Sequence, residues 1–95
     1  MIVYGVCKPG HALDTPDVRC VEWVSSLQTA RQMARCEARQ LDPHDPNCYG
    51  DCVVVRRFTL PAMSRKQLVL WCLNSGETEW GEVVARYALG TGRPA

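Results

Sequence analysis

Neither acidic nor basic residues are in clear excess in this chain. Eleven basic residues face 10 acidic ones for a net charge of +1. A simple polycation is therefore excluded, and any nucleic-acid contact has to come from local clustering. Long apolar runs are missing too. The longest, Leu68 to Leu73, is six residues, against the roughly 20 that a bilayer-spanning helix needs. The opening Met1-Ile2-Val3-Tyr4-Gly5-Val6-Cys7-Lys8 has no basic lead and is broken by Gly5, Lys8 and Pro9, so no export signal is expected. Histidine is scarce, with only His11 and His44 available as a base for a serine or cysteine nucleophile. No nucleophile elbow, phosphate-binding glycine loop or paired-histidine metal motif occurs.

What is present is ordinary globular material, 46% apolar and 22% charged over 95 residues. That composition excludes a disordered chain, and the length fits one domain. Surface scaling allows a chain of this mass to bury about 64% of its surface, enough for one modest core. The domain is expected over residues 1–91, with 92–95 as a frayed tail. Six cysteines, Cys7, Cys20, Cys36, Cys48, Cys52 and Cys72, are spread along the chain below the density of a disulfide scaffold. A cytoplasmic protein with mostly reduced thiols is expected.

Residues 1–7 are apolar and β-prone and stop at Lys8-Pro9-Gly10, a strand and turn. Val18 to Val24 has the composition of a second strand. The period then changes. Ser25 and Gln28 have capping-box spacing, and Leu27, Ala30, Ala34, Ala38 and Leu41 recur in one helical stripe, predicting a helix over about 26–41. The prolines of Asp42-Pro43-His44-Asp45-Pro46-Asn47 end it. Residues 52–60, with Val53-Val54-Val55, read as a third strand ended by Pro61. Ser64 and Gln67 repeat the capping spacing ahead of the apolar run 68–73, which reads as a short buried helix or a strand; the cap and Asn74-Ser75-Gly76 favour the helix. Trp80, Val83, Val84, Tyr87 and Ala88 follow helical spacing, with Glu77, Glu79 and Glu82 ahead of them and Gly90 behind, predicting a third helix. Trp80, Val84 and Tyr87 would pack internally or form a dimer seam, so a monomer or a homodimer is expected. The expected fold is α+β: about three strands in an antiparallel or mixed sheet packed by three helices, in the order β-β-α-β-α-α.

At about 100° per residue, Arg31, Arg35 and Arg39 align on the first helix, with Gln28 and Gln32 between them. Like charges four apart weaken a helix by a few tenths of a kcal/mol (~0.2–0.5), so local stability does not explain the row. It reads either as a donor-rich surface for phosphates, nucleic acid or an acidic protein, or as a solvated face neutralised by Asp42, Asp45 or Asp51. Cys7 and His11 are four apart, as are His44, Cys48 and Cys52, so two loops brought together would offer zinc thiolates and imidazoles. A Cys48–Cys52 disulfide is the competing use. A free cysteine opening an apolar strand is otherwise a small hydrophobe.

Two resemblances bear on function. A first strand carrying Tyr4, a second ending Trp23-Val24-Ser25-Ser26 before an Ala-rich helix, a Val-rich third strand and a late Glu77-Thr78-Glu79 look like an ADP-ribosyltransferase. That resemblance implies NAD as co-substrate, Ser25 or Ser26 in its binding and Glu79 as the catalytic glutamate. The same acidic residues also suit a helix N-terminus. The stretch Val21-Glu22-Trp23-Val24-Ser25-Ser26-Leu27-Gln28-Thr29-Ala30-Arg31-Gln32-Met33-Ala34, with Val53-Val54-Val55-Arg56 later, resembles the small phage-encoded anti-CRISPR proteins. It implies a non-enzymatic inhibitor, without cofactor, that occupies a nucleic-acid-handling surface of a host protein or ribonucleoprotein complex. The partner-binding residues expected from the helix projection are Gln28, Arg31, Gln32, Arg35 and Arg39.

Overall fold

A computed structural model describes residues 1–11, 19–45, 48–74 and 81–95. In chain order they form β1 (Ile2–Lys8), β2 (Gly10–His11), β3 (Arg19–Val24), α1 (Leu27–Gln40), β4 (Cys48–Tyr49), β5 (Cys52–Thr59), α2 (Arg65–Asn74) and β6 (Glu82–Ala88). Four strands make one antiparallel sheet in the order β3-β1-β5-β6, and β2 pairs with β4 in a separate two-stranded ribbon. The α+β class is as expected; the sheet has four strands instead of three, and the described helices are two.

Alternation along the strands sends side chains to two faces, each covered by one helix. Val6, Val53, Val55 and Tyr87 point to the α1 side, where they meet Ala30, Ala34 and Ala38, all fully buried. The small alanines let the helix approach the sheet closely, and Leu27, Met33 and Leu41 close the flanks of that contact. Val3, Phe58 and Leu60 point the other way, against Trp23, Met63, Leu68 and Trp71. Here Trp71 packs edge to face on both Trp23 and Phe58, which are tilted against each other, with ring centroids 4.9–5.5 Å apart. Strand β5 has fully buried residues on both faces, which is why its valine run is so dense.

Both helices start on serines. Ser64 and Gln67 form the reciprocal box, each side chain accepting the other's backbone N–H, at 3.2 and 3.0 Å. This settles residues 65–74 as a helix. On α1 the cap is Ser26 instead of Ser25: its Oγ accepts from the Thr29 N–H at 3.3 Å. The C-terminal end of α1 is held by the Ala38 carbonyl, which accepts from both Leu41 and Gly90.

The third helix is replaced by a strand. Glu82–Ala88 pairs with β5, placing Ala85 and Tyr87 opposite Val55 and Val53 on the α1 side. Ala85 and Tyr87 keep the strand period of two, a register shift between Val55 and Arg56 sets Val83 opposite Arg56 instead, and Val83, Val84 and Tyr87 also fit a helical period. Pairing to a buried central strand decides between them, because it satisfies the backbone of both. Gly81 sits at the entry to β6 in a space with no room for a side chain, since a Cβ there would stand 2.5 Å from Phe58 Cζ. Trp80 and the Glu77 and Glu79 expected to start that helix lie outside the described residues. In the expected tail, the Ala88 N–H donates to the Arg93 carbonyl at 2.8 Å and the Ala95 N–H to the Arg86 carbonyl at 3.0 Å, covering the β6 edge.

Candidate functional site

With Ala30, Ala34 and Ala38 facing the sheet, the residues one step further round α1 are Arg31, Arg35 and Arg39, all exposed. Their flank lies over β6. Arg31 Nε donates to the Tyr87 hydroxyl at 3.2 Å. The Arg35 guanidinium lies over the ring of the same tyrosine, 5.5 Å from its centroid. Tyr87 itself is only 2% exposed, so one buried residue of the sheet holds two exposed arginines. The stem of Arg39 runs beside Gly92, whose φ of +67° suits glycine and where a Cβ would stand 2.7 Å from Arg39 Cγ.

Leu27, Gln28, Arg31, Gln32 and Arg35 line an open groove of about 580 Å³. These are four of the five residues expected from the helix projection, plus one half-buried leucine. Glu37, the acidic residue of α1, is on the opposite flank and pairs with Lys8 at 2.8 Å. The Asp42 carboxylate accepts the His44 backbone N–H at 2.8 Å, and Asp51 lies against the Cys52 thiol. Among the described residues, ion pairs join Lys8 to Glu37 and Arg57 to Glu82, and none reaches Arg31, Arg35 or Arg39. The result is a row of guanidinium groups, two of them held by one tyrosine. Arg56 and Arg57 diverge as alternation requires: Arg56 donates to the Gly81 carbonyl at 2.9 Å and Arg57 pairs with Glu82. Neither extends the row.

The zinc ligand set does not assemble. Cys7 is fully buried and disulfide-bonded, so it offers no thiolate. The backbone register puts His11 opposite Cys48 in the β2–β4 ribbon, while His44 is exposed in a turn and Cys52 begins β5. No metal-holding group of three occurs among the described residues. Cys52 carries a free thiol, which excludes the Cys48–Cys52 disulfide. Burial, then the Asp51 hydrogen bond and charge, push its pKa up from the ordinary value of 9.0, with Arg86 acting weakly the other way. Burial likewise pushes the Cys72 thiol up. A raised thiol is protonated at neutral pH, the reverse of what a nucleophile or metal ligand requires.

The residues of the ADP-ribosyltransferase pattern are also dispersed in role. Ser26 is engaged as the α1 cap and Ser25 is exposed at the preceding bend. Glu79 lies outside the described residues. Sequence reasoning missed Tyr87 as part of the α1 flank, having assigned it to a helix. The strand period survives locally in Ala85 and Tyr87, and the register shift at Val55/Arg56 takes Val83 out of it.

No family model, curated protein or solved structure matches this chain. No described helix is long and apolar enough to cross a membrane.

Proposed function

We propose that this chain is a small non-enzymatic interaction protein that docks through the α1 flank of Arg31, Arg35 and Arg39, with Gln28 and Gln32, onto an anionic surface of a host protein or ribonucleoprotein. One observation carries the reading: the three guanidinium groups stand in a row with no carboxylate partner among the described residues, while the acidic residue of the same helix is engaged elsewhere. A merely solvated face of that kind gains nothing from like charges four apart. The resemblance of residues 21–34 and 53–56 to anti-CRISPR inhibitors supports a mobile-element inhibitor of a CRISPR-type complex as the specific form of this activity. A cytoplasmic setting belongs to the same reading and is supported by the free thiols of Cys36 and Cys52; the disulfide at Cys7 pulls against it.

The test is capture from host lysate at rising salt, with the parent protein and the Arg31→Glu, Arg35→Glu, Arg39→Glu triple variant side by side. Salt-sensitive capture by the parent, abolished in the triple variant, is the expected outcome. Equal capture by both at every salt concentration sinks the reading.

A further inference from the structure

The two tethers to Tyr87 leave a particular set of donors pointing outward. Arg31 commits Nε to the phenol oxygen at 3.2 Å, which leaves its two terminal Nη groups, the end-on fork that receives two oxygens of one anion. The Arg35 guanidinium lies over the ring, 5.5 Å from the centroid, a contact that uses no oxygen acceptor and so leaves its N–H donors for an anion. One turn of helix separates them, a rise of about 6 Å. Gln28 and Gln32 add amide donors along the same groove.

Donors that repeat along a helix suit an anion that also repeats. A lone carboxylate saturates at a single fork, and a protein hot spot would call for desolvated apolar anchors. Leu27 is the one apolar side chain among the described residues that line the groove. Among the described residues that line the groove no ring is free to stack on bases, because Tyr87 beside it is buried and its face is taken by Arg35. We infer that Tyr87 is a positioning residue that preorganises Arg31 and Arg35 as a seat for successive phosphodiester groups of a nucleic-acid strand, contacted through its backbone without base readout. This rests on the α1 flank being the docking face.

Fluorescence anisotropy with a labelled single-stranded RNA 12-mer, a DNA duplex of 12 base pairs and a polyglutamate peptide tests it. The parent should bind a nucleic-acid probe more tightly than polyglutamate, and the same way for unrelated base sequences. The slope of log K against log salt should be near the ~0.7 per phosphate of a single strand, or ~0.9 of a duplex, for each arginine engaged; which of the two is bound identifies the source of the phosphates. Arg31→Ala should reduce that slope by one such step. Tyr87→Phe removes no charge, so it should leave the slope unchanged and weaken binding about 2- to 10-fold through lost ordering of the Arg31 side chain. The double variant should bind no worse than Arg31→Ala alone. Arg31→Lys, on the exposed helix face, serves the same purpose should the tyrosine variant fail to fold: unchanged slope, weaker binding.

Polyglutamate bound as tightly as both nucleic acids overturns the phosphate assignment and leaves the arginine face standing. A folded Tyr87→Phe, or an Arg31→Lys, that binds like the parent overturns the positioning role. Insensitivity of all binding to reversal of the three arginines removes the docking face itself.

Discussion

The two helices cover opposite faces of one sheet and do so by opposite means. Helix α1 packs through a stripe of alanines that are fully buried and turns arginine and glutamine outward. Helix α2 packs through Leu68 and Trp71 against Trp23 and Phe58, yet Val69, Leu70 and Leu73 remain 49–76% exposed on its outer side. The first helix is therefore sharply divided between core and charge, while the second is apolar all round over residues 68–73 and held mainly by large rings. Small side chains bring α1 near enough to the sheet for Arg31 and Arg35 to reach Tyr87. Rings hold α2 by bulk and leave its outer face chemically undirected. Charge organisation in this protein follows from close helix packing.

Removing bulk and adding bulk should separate the two faces. Phe58→Ala opens a cavity between both tryptophans and should cost about 3–5 kcal/mol of unfolding free energy in a denaturant titration. A cost below that of a surface substitution would show that the rings do not hold the α2 face. Ala34→Leu inserts a branched side chain where no space exists and should cost about 1–3 kcal/mol. Because it lifts α1 from β6, it should also weaken anion binding, which Phe58→Ala leaves intact in the folded fraction. On the outer side of α2, Leu73→Gln should stay within about 0.5 kcal/mol of the parent.

Thiol chemistry sharpens the same contrast. Cys36 on the outer side of α1 is exposed, so a thiol-reactive reagent at neutral pH should label it well before Cys72 and Cys52, whose pKa values are raised by burial. Faster labelling of Cys72 would show that its half-buried position on α2 does not shield it. A thiol whose pKa is higher folded than unfolded favours the folded state while it is protonated. The contribution of Cys52 and Cys72 is thus complete below the ordinary value of 9.0 and is lost as pH rises through their folded values. Stability should fall above that pH, and the fall should shrink in Cys72→Ala measured against its own neutral-pH value.

How much of this was legible depended on whether the deciding contacts were local. Helix α1 was readable because its alanine stripe, its serine cap and the prolines after it all lie within a few residues of one another; only the cap moved, from Ser25 to Ser26. The Ser64–Gln67 box fixed α2 in the same way. Strand β6 was not readable, since Val83, Val84 and Tyr87 fit a helical period, a register shift interrupts the strand alternation, and the choice lies in pairing with β5. The proposed docking face divides along the same line. Gln28, Arg31, Gln32 and Arg35 follow from helix geometry and do line one groove. The tether that organises them spans 56 residues, from Arg31 to Tyr87, and no local pattern carries it.

The most direct measurement compares charge-matched reversals in the two regions on a heparin column. Arg31→Glu with Arg35→Glu alters the α1 flank, and Arg65→Glu with Lys66→Glu alters the exposed start of α2 by the same net charge. If the α1 flank is the anion-binding face, the first pair moves elution to markedly lower salt and the second leaves it near the parent. Equal shifts for both pairs would mean that only net charge matters, and would contradict the account.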